Sequence, residues 1–168
     1  MTVLAKILLV DDEREFVAIL TQRLTKRNYS VTFAHSAKDA LVQLEDDKEI
    51  DVVILDVKMP GVDGIETLKL IKEKWPIIEV IMLTGHSTLD SAIDAIKIDA
   101  NDYLLKPIEM EQLVSKIKKA VCRKRHRDKL ILDVYMTPYL TRREQEEQIT
   151  KILKPETIFT PEWTPATP

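Results

Sequence analysis

Through roughly the first 120 residues, short unbroken apolar runs alternate with stretches in which apolar residues recur every third or fourth position. Ile7–Val10, Val52–Leu55 and Val80–Leu83 are continuous and rich in branched side chains, the pattern of strands covered on both faces. Val31–Ala34 is shorter and alternates, which suits an edge strand, and Tyr103–Leu105 supplies a fifth. Between the runs, Phe16, Leu20 and Leu24 mark one helical face. Ala37, Ala40, Leu41 and Leu44 mark a second, opened by a Ser36–Asp39 capping pattern. Ile65, Leu68, Ile71 and Trp75 mark a third, and Leu89, Ala92, Ile93 and Ile96 a fourth. Met110, Leu113, Val114, Ile117 and Val121 mark the last. Five strand–helix units predict an α/β fold, a doubly wound parallel sheet of five strands. Ligands bind such sheets beyond the carboxyl ends of the strands, so the chemistry is sought there.

The first strand ends in Asp11–Asp12, the third in Asp56, the fourth in Thr84–Gly85 and the fifth in Lys106–Pro107. If these strands are neighbours, three carboxylates, a hydroxyl and an ammonium converge on one crevice. Crowded carboxylates resist ionisation unless a cation neutralises them. An oxygen-only donor set without His or Cys favours a hard ion, and a shallow site that keeps several waters suits Mg²⁺. An aspartate in such surroundings can attack a phosphoryl group and hold it as an acyl phosphate. The metal and a lysine then share the charge on the transferring oxygens. Thr84 is placed to donate its hydroxyl to the phosphoryl group, and Lys106 to pair with it. An aspartate-nucleophile phosphatase would need a second acid two residues after Asp56, where Lys58 stands.

Together, Asp11–Asp12, Asp56 with Met59-Pro60-Gly61 and Gly64, Thr84–Gly85, and Lys106–Pro107 resemble the receiver domain of two-component response regulators, over roughly residues 4–122. The resemblance implies a flavodoxin-like receiver fold with strand order 2-1-3-4-5. It makes Asp56 the phospho-acceptor and gives Mg²⁺ to Asp12 directly, Asp11 through water, Asp56, and the backbone carbonyl of Lys58. Thr84 and Lys106 match the phosphate-contacting pair, and Thr84 with Tyr103 the switch residues that follow phosphorylation. Pro107 matches a proline that follows a cis peptide. His86 and Lys58 lie where side chains tune the phosphoryl lifetime. The implied partners are a histidine kinase or histidine phosphotransfer protein, and a downstream protein reading the surface made by the Leu89–Ile96 helix, the Tyr103 strand and the Met110–Val121 helix. The same surface offers a homodimer contact.

Composition narrows the alternatives. The chain has 168 residues, 32% of them charged, and a net charge of −3, which argues against coating nucleic acid. One cysteine, Cys122, excludes an internal disulfide; with no signal-peptide pattern and no apolar run near membrane-spanning length, a cytoplasmic location is expected. His35 and His126 read as surface residues, Cys122 as a small hydrophobe, and Trp75 as part of a helix face. The run Arg123–Lys129 reads as a solvated face whose cations suit a helix C-terminus. Residues 1–124 are taken as the receiver and 125–168 as an extension. Lys129–Met136 either prolongs the last helix or packs separately, a helix is predicted over about 141–153 with a Thr141–Glu144 capping box, and a Thr/Pro-rich end follows. So short an extension cannot build a helix-turn-helix domain with its own core. Two other readings remain: a DNA-binding regulator using the basic run and tail helix, and a scaffold that is not phosphorylated.

Overall fold

In the computed structural model, which describes residues 3–85 and 102–154, five parallel strands form one sheet in the order β2-β1-β3-β4-β5. The strands are β1 (Lys6–Val10), β2 (Ser30–Ala34), β3 (Val52–Asp56), β4 (Glu79–Thr84) and β5 (Asp102–Leu105). The described helices are α1 (Arg14–Thr25), α2 (Ala37–Asp46), α3 (Gly64–Lys74), α4 (Met110–Met136) and α5 (Arg142–Leu153). The helix expected around Leu89–Ile96, His86, and the Thr/Pro-rich end lie outside the described residues.

The continuous apolar runs become β1, β3 and β4, whose side chains alternate between two buried layers. Ile7, Leu9, Ile54, Ile81 and Leu83 pack under α1 and α4. Leu8, Val10, Val53, Leu55 and Met82 pack under α2 and α3. The alternating Val31–Ala34 run lies on edge strand β2, in register with Ile7–Val10. Ser36 caps α2 by accepting the Asp39 N–H, and Asp63 caps α3 in the same way from Glu66. Placing β1 beside β3 and β3 beside β4 draws Asp11, Asp56 and Thr84 to one edge of the sheet.

The basic run departs from its expected setting. It lies in the middle of a 27-residue helix, because no glycine or proline interrupts the chain between Met110 and Met136. Position 124, drawn as a boundary, therefore falls inside α4. Only part of the run is a solvated face, with Arg125, Asp128 and Lys129 exposed: Arg123 Nε donates to Glu79 Oε2 at 2.8 Å, Arg127 pairs with the other oxygen of the same carboxylate, and Lys124 is buried, 3.7 Å from Asp51 and 2.9 Å from Asp128. Arg125 donates to the Leu4 carbonyl at 2.7 Å. Glu79, fully buried at the start of β4, draws the cations inward, since a buried carboxylate requires opposite charge. Past the run, Val134 is buried, and α5, with its Thr141–Glu144 capping box, packs along α4.

Neutralising Glu79 leaves two guanidinium groups half-buried without their partner. Glu79→Gln should lower unfolding free energy by about 3 kcal/mol in denaturant titrations, and Glu79→Gln combined with Arg127→Met should recover part of that loss.

Candidate functional site

Asp11, Asp12 and Asp56 each present a carboxylate oxygen within 4.8 Å of the others at the carboxyl edge of the sheet. Asp11 is fully buried and held from several directions. Its N–H continues the ladder to the Ala34 carbonyl, its Oδ1 accepts the Glu13 N–H at 2.9 Å, and its Oδ2 receives Lys106. Asp12 is the more open member and lines a groove of about 460 Å³ with Lys58, Met59, Asp63 and Ile65. Asp56 ends β3 and is 6% exposed.

Lys106 enters from the end of β5, fixed by its N–H donating to the Thr84 carbonyl at 2.8 Å and followed by a cis peptide to Pro107. Its ammonium lies 2.8 Å from Asp11, 3.1 Å from Asp56 and 3.2 Å from Glu13, with the Phe16 ring 4.5 Å away. Burial alone would lower the Lys106 pKa, but Asp11 and Asp56 more than offset it and hold the ammonium above the ordinary lysine range. For Asp56 burial dominates. It pushes the carboxyl up to about 6, helped by Asp11 and Asp12 and opposed by Lys106. One lysine therefore neutralises only part of the charge gathered here.

Thr84, at the end of β4, is buried, with its hydroxyl 3.3 Å from the Gly85 carbonyl. Lys58 is exposed in the loop after Asp56. Gly64 opens α3 directly against the site: a Cβ there would overlap the Asp56 carbonyl oxygen and crowd the Val57 backbone, so only glycine fits. Tyr103 stands on β5 with 37% of its surface exposed, and the Lys116 ammonium lies 5.9 Å from its ring centroid. It is an outward-facing residue here. Cys122 is a half-buried free thiol, and Trp75 packs partly buried beneath Lys48 and Lys74.

Two participants escape a reading of the sequence. His35, expected on the surface, is half-buried, and its Nδ1 lies 2.9 Å from the Asp11 carbonyl oxygen, which braces the acidic pair from just past the end of β2. Glu13 adds a third carboxylate to Lys106, after Asp11 and Asp56. His35 carries no local signal, because its partner lies 24 residues away. Glu13 could have been found as the next acid after the Asp11–Asp12 pair.

A carboxylate trio, two of its members buried, with one lysine at the carboxyl edge of a 2-1-3-4-5 sheet defines the class of acidic-pocket signalling domains built on the flavodoxin-like fold. Residues 7–118 match the family model of the response regulator receiver domain, and the chain belongs to that family of two-component systems. It is 40% identical over 119 residues to the transcriptional regulatory protein ZraR of Salmonella typhimurium, covering 71% of this chain and 27% of that protein. It is 37% identical over 113 residues to the DNA-binding transcriptional regulator NtrC of Klebsiella pneumoniae, covering 67% and 24%. The chain thus spans about a quarter of the length of these curated relatives. Among solved structures, a receiver domain protein from Clostridium thermocellum is 41% identical, with TM-score 0.70, over 73% of this chain and 98% of that one. The NtrX protein from Brucella abortus is 25% identical, with TM-score 0.72, over 89% and 33%.

The raised Asp56 pKa fixes the sign of a pH effect. The folded chain keeps this proton up to about pH 6, whereas the unfolded chain releases it near its ordinary value of 3.8. Ionisation therefore costs the folded state stability as pH rises between those values. With divalent cations chelated, Asp56→Asn should stabilise the protein by about 2 kcal/mol above pH 6 and by little at pH 4, read from unfolding across that range. Gly64→Ala should destabilise the fold by about 2 kcal/mol or more, because the clash is with backbone.

Proposed function

We propose that the chain accepts a phosphoryl group on Asp56 from a histidine kinase or histidine phosphotransfer protein, in a Mg²⁺-dependent reaction, and signals through protein contacts. The observation that carries this reading is the placement of Asp11, Asp12 and Asp56 within 4.8 Å of one another beside Lys106. The donor set fits a hard divalent cation: it is all carboxylate oxygen, and the pocket holds more negative charge than one ammonium balances. Asp12, Asp56, the Lys58 backbone carbonyl and, through water, Asp11 would hold Mg²⁺, which would neutralise charge between the carboxylates and the incoming phosphoryl oxygens.

Transfer needs the ionised form of Asp56, and partial neutralisation by Lys106 favours that form near neutral pH. An Asp56 carboxylate oxygen attacks phosphorus as the bond to the donor imidazole nitrogen breaks, and the imidazole leaves with the bonding pair. Lys106, released from Asp56, pairs with a phosphoryl oxygen, and the Thr84 hydroxyl donates to another. Thr84 and Tyr103 then follow the phosphoryl group and bias an existing equilibrium at the surface flanking β5, where a downstream protein or a second copy binds. Residues 1–124 supply the receiver's chemistry, and residues 125–168 form an extension that begins as the continuation of α4. In this role the chain works in the cytoplasm and catalyses only its own phosphorylation and dephosphorylation.

Incubation with acetyl phosphate and Mg²⁺ should add the mass of one phosphoryl group to the intact chain, and Asp56→Ala or chelation of the metal should abolish the gain. Lys106→Met should leave fluoroberyllate binding weakened by about tenfold or more, because a charge-assisted contact is lost. If neither acetyl phosphate nor fluoroberyllate engages the protein in the presence of Mg²⁺, the phospho-acceptor reading is wrong.

A further inference from the structure

Past the basic run, α4 carries Leu132, Tyr135 and Met136 at spacings of three and four residues, so the three share one face. Each is more than half exposed, whereas Val134, turned the other way, is buried. Tyr139 carries the patch into the turn before α5, with its side chain fully exposed. Its φ of 69° lies in the left-handed region, which glycine or asparagine fills at lower cost. A ring held there wholly in solvent gains the isolated chain nothing. Large apolar side chains left together in water mark an interaction surface.

One turn earlier the same face is basic, where Arg125 and Lys129 are exposed. An ammonium and an aromatic face attract, yet Lys129 and Tyr135 cannot meet on one helix. Their spacing sets them about 9 Å apart along the axis, and the lysine leans toward the helix N-terminus, away from the ring. Among the described residues no cation lies over Tyr135 or Tyr139. Arg125 and Lys129 also line a groove of about 420 Å³, walled by Leu4, Tyr29, Val121 and Cys122. The face thus has a basic, hollow end and an aromatic, protruding end, each suited to the other.

We propose that this face pairs with the same face of a second copy, the two α4 helices running antiparallel about a two-fold axis at Leu132. Leu132 then meets its counterpart, Lys129 lies over Tyr135 of the second copy, and Tyr139 of the second copy enters the groove beside Arg125. The two-fold makes every such contact twice. A parallel pair would set Lys129 against Lys129 and Asp128 against Asp128, so charge selects the antiparallel one. The antiparallel pair also keeps the two sheets at opposite ends, where they do not collide. Its area lies below about 1,200 Å², the size of weak and reversible associations, so pairing occurs at micromolar concentration. The face lies beyond Glu79 at the amino edge of the sheet, away from the acidic pocket, so pairing requires neither Mg²⁺ nor a phosphoryl group.

Sedimentation equilibrium of the full chain, with divalent cations chelated and no phosphodonor, should show a monomer–dimer equilibrium. Tyr135→Lys should weaken it about tenfold or more, because Lys129 then faces a like charge at two places. Lys129→Glu combined with Tyr135→Lys should return the dissociation constant to within about threefold of the natural value. In a parallel pair that double variant stays weak. With Cys122→Ser as background, Leu132→Cys should oxidise to a disulfide-linked dimer and Lys129→Cys should not, since only position 132 lies on the axis. Thermal unfolding of each variant verifies the fold. A chain that stays monomeric well above micromolar concentration overturns the proposal and leaves the face to a different protein. A dimer indifferent to Tyr135→Lys overturns it too and assigns self-association to another surface.

Discussion

Lys106 binds together parts of the chain that would otherwise repel. Asp11 and Asp56 come from adjacent strands and meet in a pocket largely closed to water, where two carboxylates destabilise one another. The ammonium that separates them arrives from β5, 95 residues after Asp11. It reaches them because the parallel order β1-β3-β4-β5 points every carboxyl end the same way. The balance is incomplete by design of the donor set: Asp56 keeps a raised pKa even with Lys106 beside it. A site left electrically unfinished holds free energy that a divalent cation and a phosphoryl group can release, so the fold carries a local cost where its chemistry lies.

Much of this was legible in the sequence because parallel strands buried on both faces leave unbroken apolar runs, and the first polar residue after each run marks the sheet's carboxyl edge. Asp11, Asp56, Thr84 and Lys106 all occupy such positions. The capping residue Asp63, three positions before Glu66, was readable by the same local logic that reveals Ser36.

What the sequence concealed depends on partners distant along the chain. His35 supports Asp11 from just past the end of β2, 24 residues on, and nothing in its neighbours indicates that. The basic run misleads for a related reason. Cations clustered near a helix end suit the dipole, so Arg123–Lys129 suggests a terminus. The missing breaker before Pro138 is the stronger signal, and it predicts the continuous helix. Which faces of that helix turn inward could not be read locally, because the deciding charge, Glu79, sits 44 residues before Arg123 and resembles an ordinary acid at the entrance to a strand.

β4 links these two electrostatic centres. Thr84 closes its carboxyl end at the acidic pocket, and Glu79 opens its amino end beneath α4. All six residues between and including them are buried, with Ile81 and Leu83 in one layer and Val80 and Met82 in the other. A strand packed this tightly on both sides does not bend independently of its neighbours. The residue at the phosphoryl end and the carboxylate that orients the long helix are therefore positioned by one rigid element. Through Arg123 and Arg127, Glu79 thereby fastens α4 to the same sheet that carries the acidic pocket at its other edge.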